Sequence, residues 1–128
     1  MIRTIAAVLL TCAVTACGSP ADAAPSAVAR QFTEAIGSGD PAAACALLAP
    51  RAKDALVATT ARPCAVGLAA LRLPHAPPAT PAVWSSEAQA KSADDTVFLH
   101  EFSDGWRITG AGCHPRNEQV YDCLVGGR

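Results

Sequence analysis

The side chains with the widest chemistry in this chain are its thiols. Cys12, Cys17, Cys45, Cys64, Cys113 and Cys123 are the six cysteines among 128 residues, and such thiols are acylated, paired as disulfides or used as metal ligands. Metal ligation fits least well. Cys113 and His114 with Cys123 and either His75 or His100 would supply soft donors, but no Cys-x-x-Cys or His-x3-His pair pre-organises a tetrahedral site. The sequence therefore calls for no metal and no other cofactor. For proton transfer the candidates are His100, Glu101, Asp54, Tyr121 and Asp122, each of which needs to lie within hydrogen-bond reach of a substrate.

Position separates the thiols. Met1 to Ala16 carries one positive charge, Arg3, and then an uncharged run through Ile5, Val8, Leu9, Leu10 and Val14, which is the plan of a secretory signal. Its apolar stretch of about ten residues spans roughly 15 Å as a helix, against the roughly 20 residues that cross a bilayer. It ends in Val14-Thr15-Ala16-Cys17-Gly18-Ser19, which resembles the bacterial lipobox: an aliphatic residue, small residues before the cut, then the cysteine. The small residue fits a narrow peptidase site, and the Cys17 thiolate is the nucleophile that receives a diacylglyceryl group. Cys12 is a poorer candidate because Thr11 would precede the cut. Residues 1–16 are thus expected to be a lipoprotein signal peptide and Cys17 the lipidation site. The mature chain is expected on the extracytoplasmic face of the cell membrane, held by acyl chains that contribute about 0.8 kcal/mol per buried methylene.

With Cys12 removed and Cys17 acylated, Cys45, Cys64, Cys113 and Cys123 remain. An even number in an exported chain reads as two disulfides. Three pairings are open to them. Local composition favours Cys45 with Cys64, both in an Ala-rich helical half, and Cys113 with Cys123, both in a strand-rich half. Loops of these lengths contribute roughly 3 kcal/mol each by the chain-entropy model.

Composition bounds the rest. Ten Lys plus Arg against eleven Asp plus Glu give a net charge of −1, and basic residues scattered singly make no footprint for nucleic acid. A 51% hydrophobic content argues against disorder. Residues 17–26, rich in Ala, Pro, Ser and Asp, suit a flexible tether, and 27–128 form a single domain.

Helical spacing dominates first. Val28, Phe32, Ala35 and Ile36 form an apolar stripe after Pro25, with Gly37 and Gly39 as the stop. Asp40 caps a second helix that has Pro41 in its first turn and runs to Pro50; Arg51 to Thr60 and Cys64 to Leu71 are a third and fourth. Four prolines between Leu73 and Pro81 stop any further helix, and His75 among them is an exposed loop residue. The period then changes to two. Ala82 to Ser86 and Ala88 to Lys91 read as weak strands, Thr96 to Phe102 as a strong one, Trp106 to Ala111 as its return and Val120 to Val125 as the last. Asp94-Asp95 reads as a turn, and it offers too few oxygens for a calcium loop.

The return is set by Ser103-Asp104-Gly105-Trp106, in which Asp-Gly supplies the positive φ angles of a type I′ turn and places Ser103 opposite Trp106. One face then holds Val97, Leu99, Glu101, Trp106 and Ile108, and the other Phe98, His100, Phe102, Arg107 and Thr109. The first is expected to meet the helices. Trp84 and Trp106 are read as core residues. The fold class is α+β, with amino-terminal helices packed on a curved antiparallel sheet of about four to five strands.

The order of these motifs is similar to the nuclear transport factor 2-like fold, a cone-like α+β domain, and within it to small actinobacterial lipoproteins. The resemblance is carried by Ala-Arg-Gln-Phe-Thr-Glu-Ala-Ile-Gly-Ser-Gly-Asp at 29–40, Ala-Cys-Ala-Leu-Leu-Ala-Pro at 44–50, Pro63-Cys64, Asp-Thr-Val-Phe-Leu at 95–99, Asp-Gly-Trp-Arg-Ile at 104–108, Ala-Gly-Cys at 111–113 and Tyr-Asp-Cys at 121–123. It implies a cone pocket between sheet and helices, able to hold a small apolar ligand, and an open sheet face that dimerises or meets an envelope partner. Enzymes of this fold carry Asp, His and Tyr sets in the cone, and no matching set is present here. Fold does not confer function. The expectation is a non-catalytic, lipid-anchored interaction module with Phe98, His100, Phe102 and Arg107 as interface residues. The alternative is a small-molecule enzyme or carrier that uses the cone.

Overall fold

The computed structural model describes the backbone of residues 20–126 and the side chains of 24–126. Cys17 and the signal segment lie outside the described residues. Four helices precede five strands, so the chain is α+β: α1 (Pro20–Gly37), α2 (Pro41–Ala46), α3 (Pro50–Thr60), α4 (Cys64–Ala70), β1 (Ala82–Trp84), β2 (Glu87–Lys91), β3 (Thr96–Phe102), β4 (Gly105–Pro115) and β5 (Tyr121–Gly126). The strands pair antiparallel in sequence order in one open sheet.

The first helix starts earlier than expected. It begins at Pro20, inside the stretch read as tether, and Pro25 lies within it with its ring buried. Proline is best tolerated in a first turn, which is why the sequence reads Pro25 as a start; the Ala-rich residues before it have the propensity to extend the helix backwards. The second helix is capped as expected, for the Asp40 carboxylate accepts from the Ala43 N–H at 3.1 Å. It ends sooner, because Leu47 to Ala49 leave it to pair with β4. The Ile108 N–H donates to the Leu47 carbonyl at 2.8 Å, and the Ala49 N–H donates to the Ile108 carbonyl at 2.7 Å. That short parallel bridge occupies the edge of β4 which β5 does not reach.

Alanines let the layers approach closely. Ala29 and Ala35 of α1, Ala88 and Ala90 of β2 and Ala111 of β4 are all buried, so α1 lies on the sheet with little side-chain bulk between the backbones. The larger filling is Phe32, Leu48, Leu68, Leu99, Ile108 and Val125, each fully buried. Two disulfides join elements, Cys45 with Cys64 within the helical part of the core and Cys113 with Cys123 on the Phe98 side of the sheet, which is the pairing that composition favoured. The first ties α2 to α4. The second ties β4 to β5 at directly opposed positions.

The β3–β4 hairpin is one register step from expectation. Phe102 faces Gly105 and Glu101 faces Trp106, so Ser103 and Asp104 form the turn. A positive φ falls on Gly105 (+120°) and not on Asp104, so the turn is not the type I′ expected of Asp-Gly. Trp106 has slipped by two residues along β3, and an even slip leaves every side chain on its expected face. Val97, Leu99, Trp106 and Ile108 are buried against the helices, while Glu101 at the strand end is exposed. Farther along, β4 runs to Pro115 rather than stopping at Ala111. Gly112 holds a left-handed φ of +62° there, and its amide donates to the buried Asp95 carboxylate at 3.0 Å. Asp95 also accepts from the Ser92 hydroxyl at 2.8 Å. The turn expected at Asp94-Asp95 is therefore also a clamp between the β2–β3 connection and β4.

Candidate functional site

The face of the sheet turned away from the helices is built by alternation. Register sets Trp84, Glu87, His100 and Arg107 in one cross-strand row, with Ala82, Gln89 and Phe98 in the next. In β2 the pattern Glu-Ala-Gln-Ala-Lys sends both alanines inward and all three polar residues onto this face.

The face is concave at one end. Gln89 on β2 donates through Nε2 to the Tyr121 hydroxyl on β5 at 2.9 Å, although β2 and β5 would stand about 14 Å apart in a flat sheet. Closure over that span requires the sheet to curl, and the register shifts around Phe98 supply a local bend. A hollow of about 1050 Å³ results, floored by Phe98 and Gln89 and walled by Tyr121 and the β4–β5 loop with Arg116 and Val120. Phe98 meets the Tyr121 ring edge-on at 4.9 Å between centroids. At the loop, Arg116 Nε donates to Asp122 at 2.9 Å, and this hydrogen bond and charge hold the guanidinium pKa above its ordinary value.

Beside the hollow, the Glu87 carboxylate and the His100 Nδ1 are hydrogen-bonded. The pair is about as exposed as it is covered, with side-chain exposures of 45% for Glu87 and 34% for His100. His100 also lies edge-on to Phe102, with centroids 4.7 Å apart. A carboxylate that orients an imidazole can prepare a base, but this pair stands in water, where electrostatic stabilisation of a transition state is weak.

The four expected interface residues thus divide. Phe102 is exposed (37%) at the hairpin end of the face, and His100 is in the centre. Phe98 is half-buried as the floor of the hollow and offers no protruding anchor. Arg107 is engaged within the chain: Nη1 donates to the Ala46 carbonyl at 2.8 Å, capping the end of α2, and Nη2 donates to Asp104 at 3.0 Å. Trp84 is the reverse case. Read as core, it is 50% exposed, because β1 is an edge strand and the register puts Trp84 opposite Glu87 on the open face.

Glu87, Gln89 and Trp84 were not singled out for this site by the sequence. The period-two alternation of β2 was the signal that could have found the first two. Of the proton-transfer candidates, Tyr121 and Asp122 line the hollow, while Asp54 is exposed on α3. Among the described residues no helix is long and apolar enough to cross a membrane, and no group of three or more His, Cys, Asp or Glu side chains is placed to hold a metal.

Comparison of the chain with known protein families, with curated proteins and with solved structures gives no match. The family resemblance therefore rests on the chain's own motifs.

Proposed function

We propose that this protein is a lipid-anchored, non-catalytic interaction module on the outer side of a bacterial plasma membrane, and that the open sheet face is its contact surface. One observation carries the reading of the face. Two large aromatic residues, Trp84 and Phe102, stand exposed around the Glu87–His100 pair, in a domain whose aromatic content is only 5%. Exposed aromatics grouped with satisfied polar pairs are what protein interfaces favour, and a chain with so few would otherwise place them in its core. The space between sheet and helices is filled by apolar side chains, Phe32 and Trp106 among them, which favours a surface contact over an enclosed ligand.

The anchor rests on the Val-Thr-Ala-Cys pattern at Cys17. Intact-mass measurement of the protein from its membrane is expected to show a chain that begins at Cys17 and carries acyl mass. A Cys17→Ser variant that keeps that mass would overturn the anchor. For the face, replacing Trp84 and Phe102 together by Ser is expected to abolish association with a second copy or an envelope protein while leaving the fold intact. An unchanged assembly mass in the membrane extract would contradict it.

The second reading, a small-molecule carrier or enzyme, draws on the hollow and the neighbouring carboxylate–imidazole pair. Glu87→Gln would separate the two: it would alter a carrier's ligand or an enzyme's pH profile, and leave an aromatic contact surface largely unaffected.

A further inference from the structure

The Glu87–His100 pair lies between the two exposed aromatics of the open face. Trp84 is the cross-strand neighbour of Glu87, and Phe102 meets the His100 ring edge-on, so a partner that covers both aromatics also covers the pair. Alone, the pair stands partly in water. Under a contact it loses that water, and the cost of the loss depends on the net charge of the pair.

The groups around the pair set that charge. From β2 come Glu87 itself and, at the far end of the strand on the same face, Lys91. From β4 comes Arg107, opposite His100, but its guanidinium already holds the Asp104 carboxylate and the Ala46 carbonyl at the end of α2. Glu101, the neighbour of His100 on β3, alternates onto the other face and is exposed. Arg107 thus arrives with its own counter-charge, and the pair must balance itself. With a neutral imidazole it carries the single negative charge of Glu87. With one proton added it carries none, whichever of the two groups holds the proton. A buried charge without compensation is strongly penalised, whereas a balanced hydrogen-bonded pair is tolerated.

From this arrangement we infer that the contact is proton-coupled: covering the open face requires one proton on each Glu87–His100 pair that is buried, so association tightens as the pH falls through the imidazole range, between about pH 8 and 5. The inference rests on the open face being the contact surface. The sign follows from linkage, because a complex that holds a proton which its free components lack is favoured by acid, by about tenfold per pH unit for each proton taken up.

The test is serial dilution of the full chain, extracted from its membrane in a non-ionic detergent, at about pH 6 and about pH 8, with the assembled fraction read by single-molecule mass measurement. The wild-type assembly is expected to survive at least about tenfold greater dilution at the acid pH. His100→Gln leaves Glu87 charged throughout, so its assembly should be weak at both. Glu87→Gln leaves only the imidazole to titrate; protonation then adds a charge, and the dependence should reverse, with the tighter assembly at the higher pH. Equal wild-type midpoints at the two pH values, or an acid-tightened assembly that persists in either variant, would overturn the proton coupling and leave the contact face standing. No assembly at either pH would overturn the contact face and the coupling with it.

Discussion

On the helix-packed side of the sheet, β3 and β4 present Val97, Leu99, Trp106 and Ile108 to α1 and to the Leu47–Ala49 segment, and every one of them is buried. On the other side the same two strands, joined by β1 and β2, present Phe98, His100, Phe102, Trp84, Glu87 and Gln89, with aromatic edges and hydrogen-bonded polar pairs at or near the surface. The strands are shared, so backbone propensity does not account for the difference. One face is composed for volume and dryness, the other for contact in water. A merely solvated face would need no aromatics, and a second core would not keep a carboxylate–imidazole pair open to solvent.

Substitutions should separate the faces by size of effect. Leu99→Ala removes a fully buried side chain and is expected to cost about 2–5 kcal/mol, a fall in Tm of roughly 10 °C or more for a domain of this size, measurable by thermal unfolding. Next comes the Cys45–Cys64 link, whose sequence separation is 19 residues. Replacing both cysteines by Ala should cost about 3 kcal/mol, read as a lower denaturant midpoint that falls further when the remaining Cys113–Cys123 link is reduced. Asp95→Ala leaves the buried Gly112 amide without its acceptor, while the Ser92 hydroxyl keeps the Asp95 backbone carbonyl; a loss of about 1–3 kcal/mol is expected, with faster amide exchange in β4. Trp84→Ser, on the open face, should change stability by under about 0.5 kcal/mol. A large loss of stability for Trp84→Ser would make the open face part of the core and erase the contrast.

Much of this contrast was legible in the sequence, for identifiable reasons. β3 was read with its observed ends because a run of strand-favouring residues, Thr96-Val97-Phe98-Leu99 and Phe102, lies between the turn signals Asp94-Asp95 and Ser103-Asp104-Gly105. The faces survived a wrong turn type because the slip in register was even. Both disulfides followed from the split between helical and strand-rich halves. What escaped depends on pairing between distant segments. Trp84 was misplaced because a three-residue edge strand carries too little periodicity to say which way it faces, and the Arg107 hydrogen bond to the Ala46 carbonyl was not foreseen because nothing local announces that Ala46 ends a helix beside it. The Glu87–His100 pair and the Gln89–Tyr121 closure need the β2–β3 register and the curl of the sheet, which no window along the chain contains. The return strand was ended at Ala111, whereas Gly112 serves as a bend within a strand that continues to Pro115.

The central claim, that the open face is the contact surface, is tested most directly by photo-cross-linking in the native membrane. A photoreactive residue is placed at Trp84 in one variant and at Val57 of α3 in another, two sites of similar exposure, 50% and 42%. The account predicts one defined adduct from position 84, either a doubled mass or the mass of a single envelope protein, and none from position 57. Equal yields from the two positions, or an adduct from Val57 alone, would contradict it.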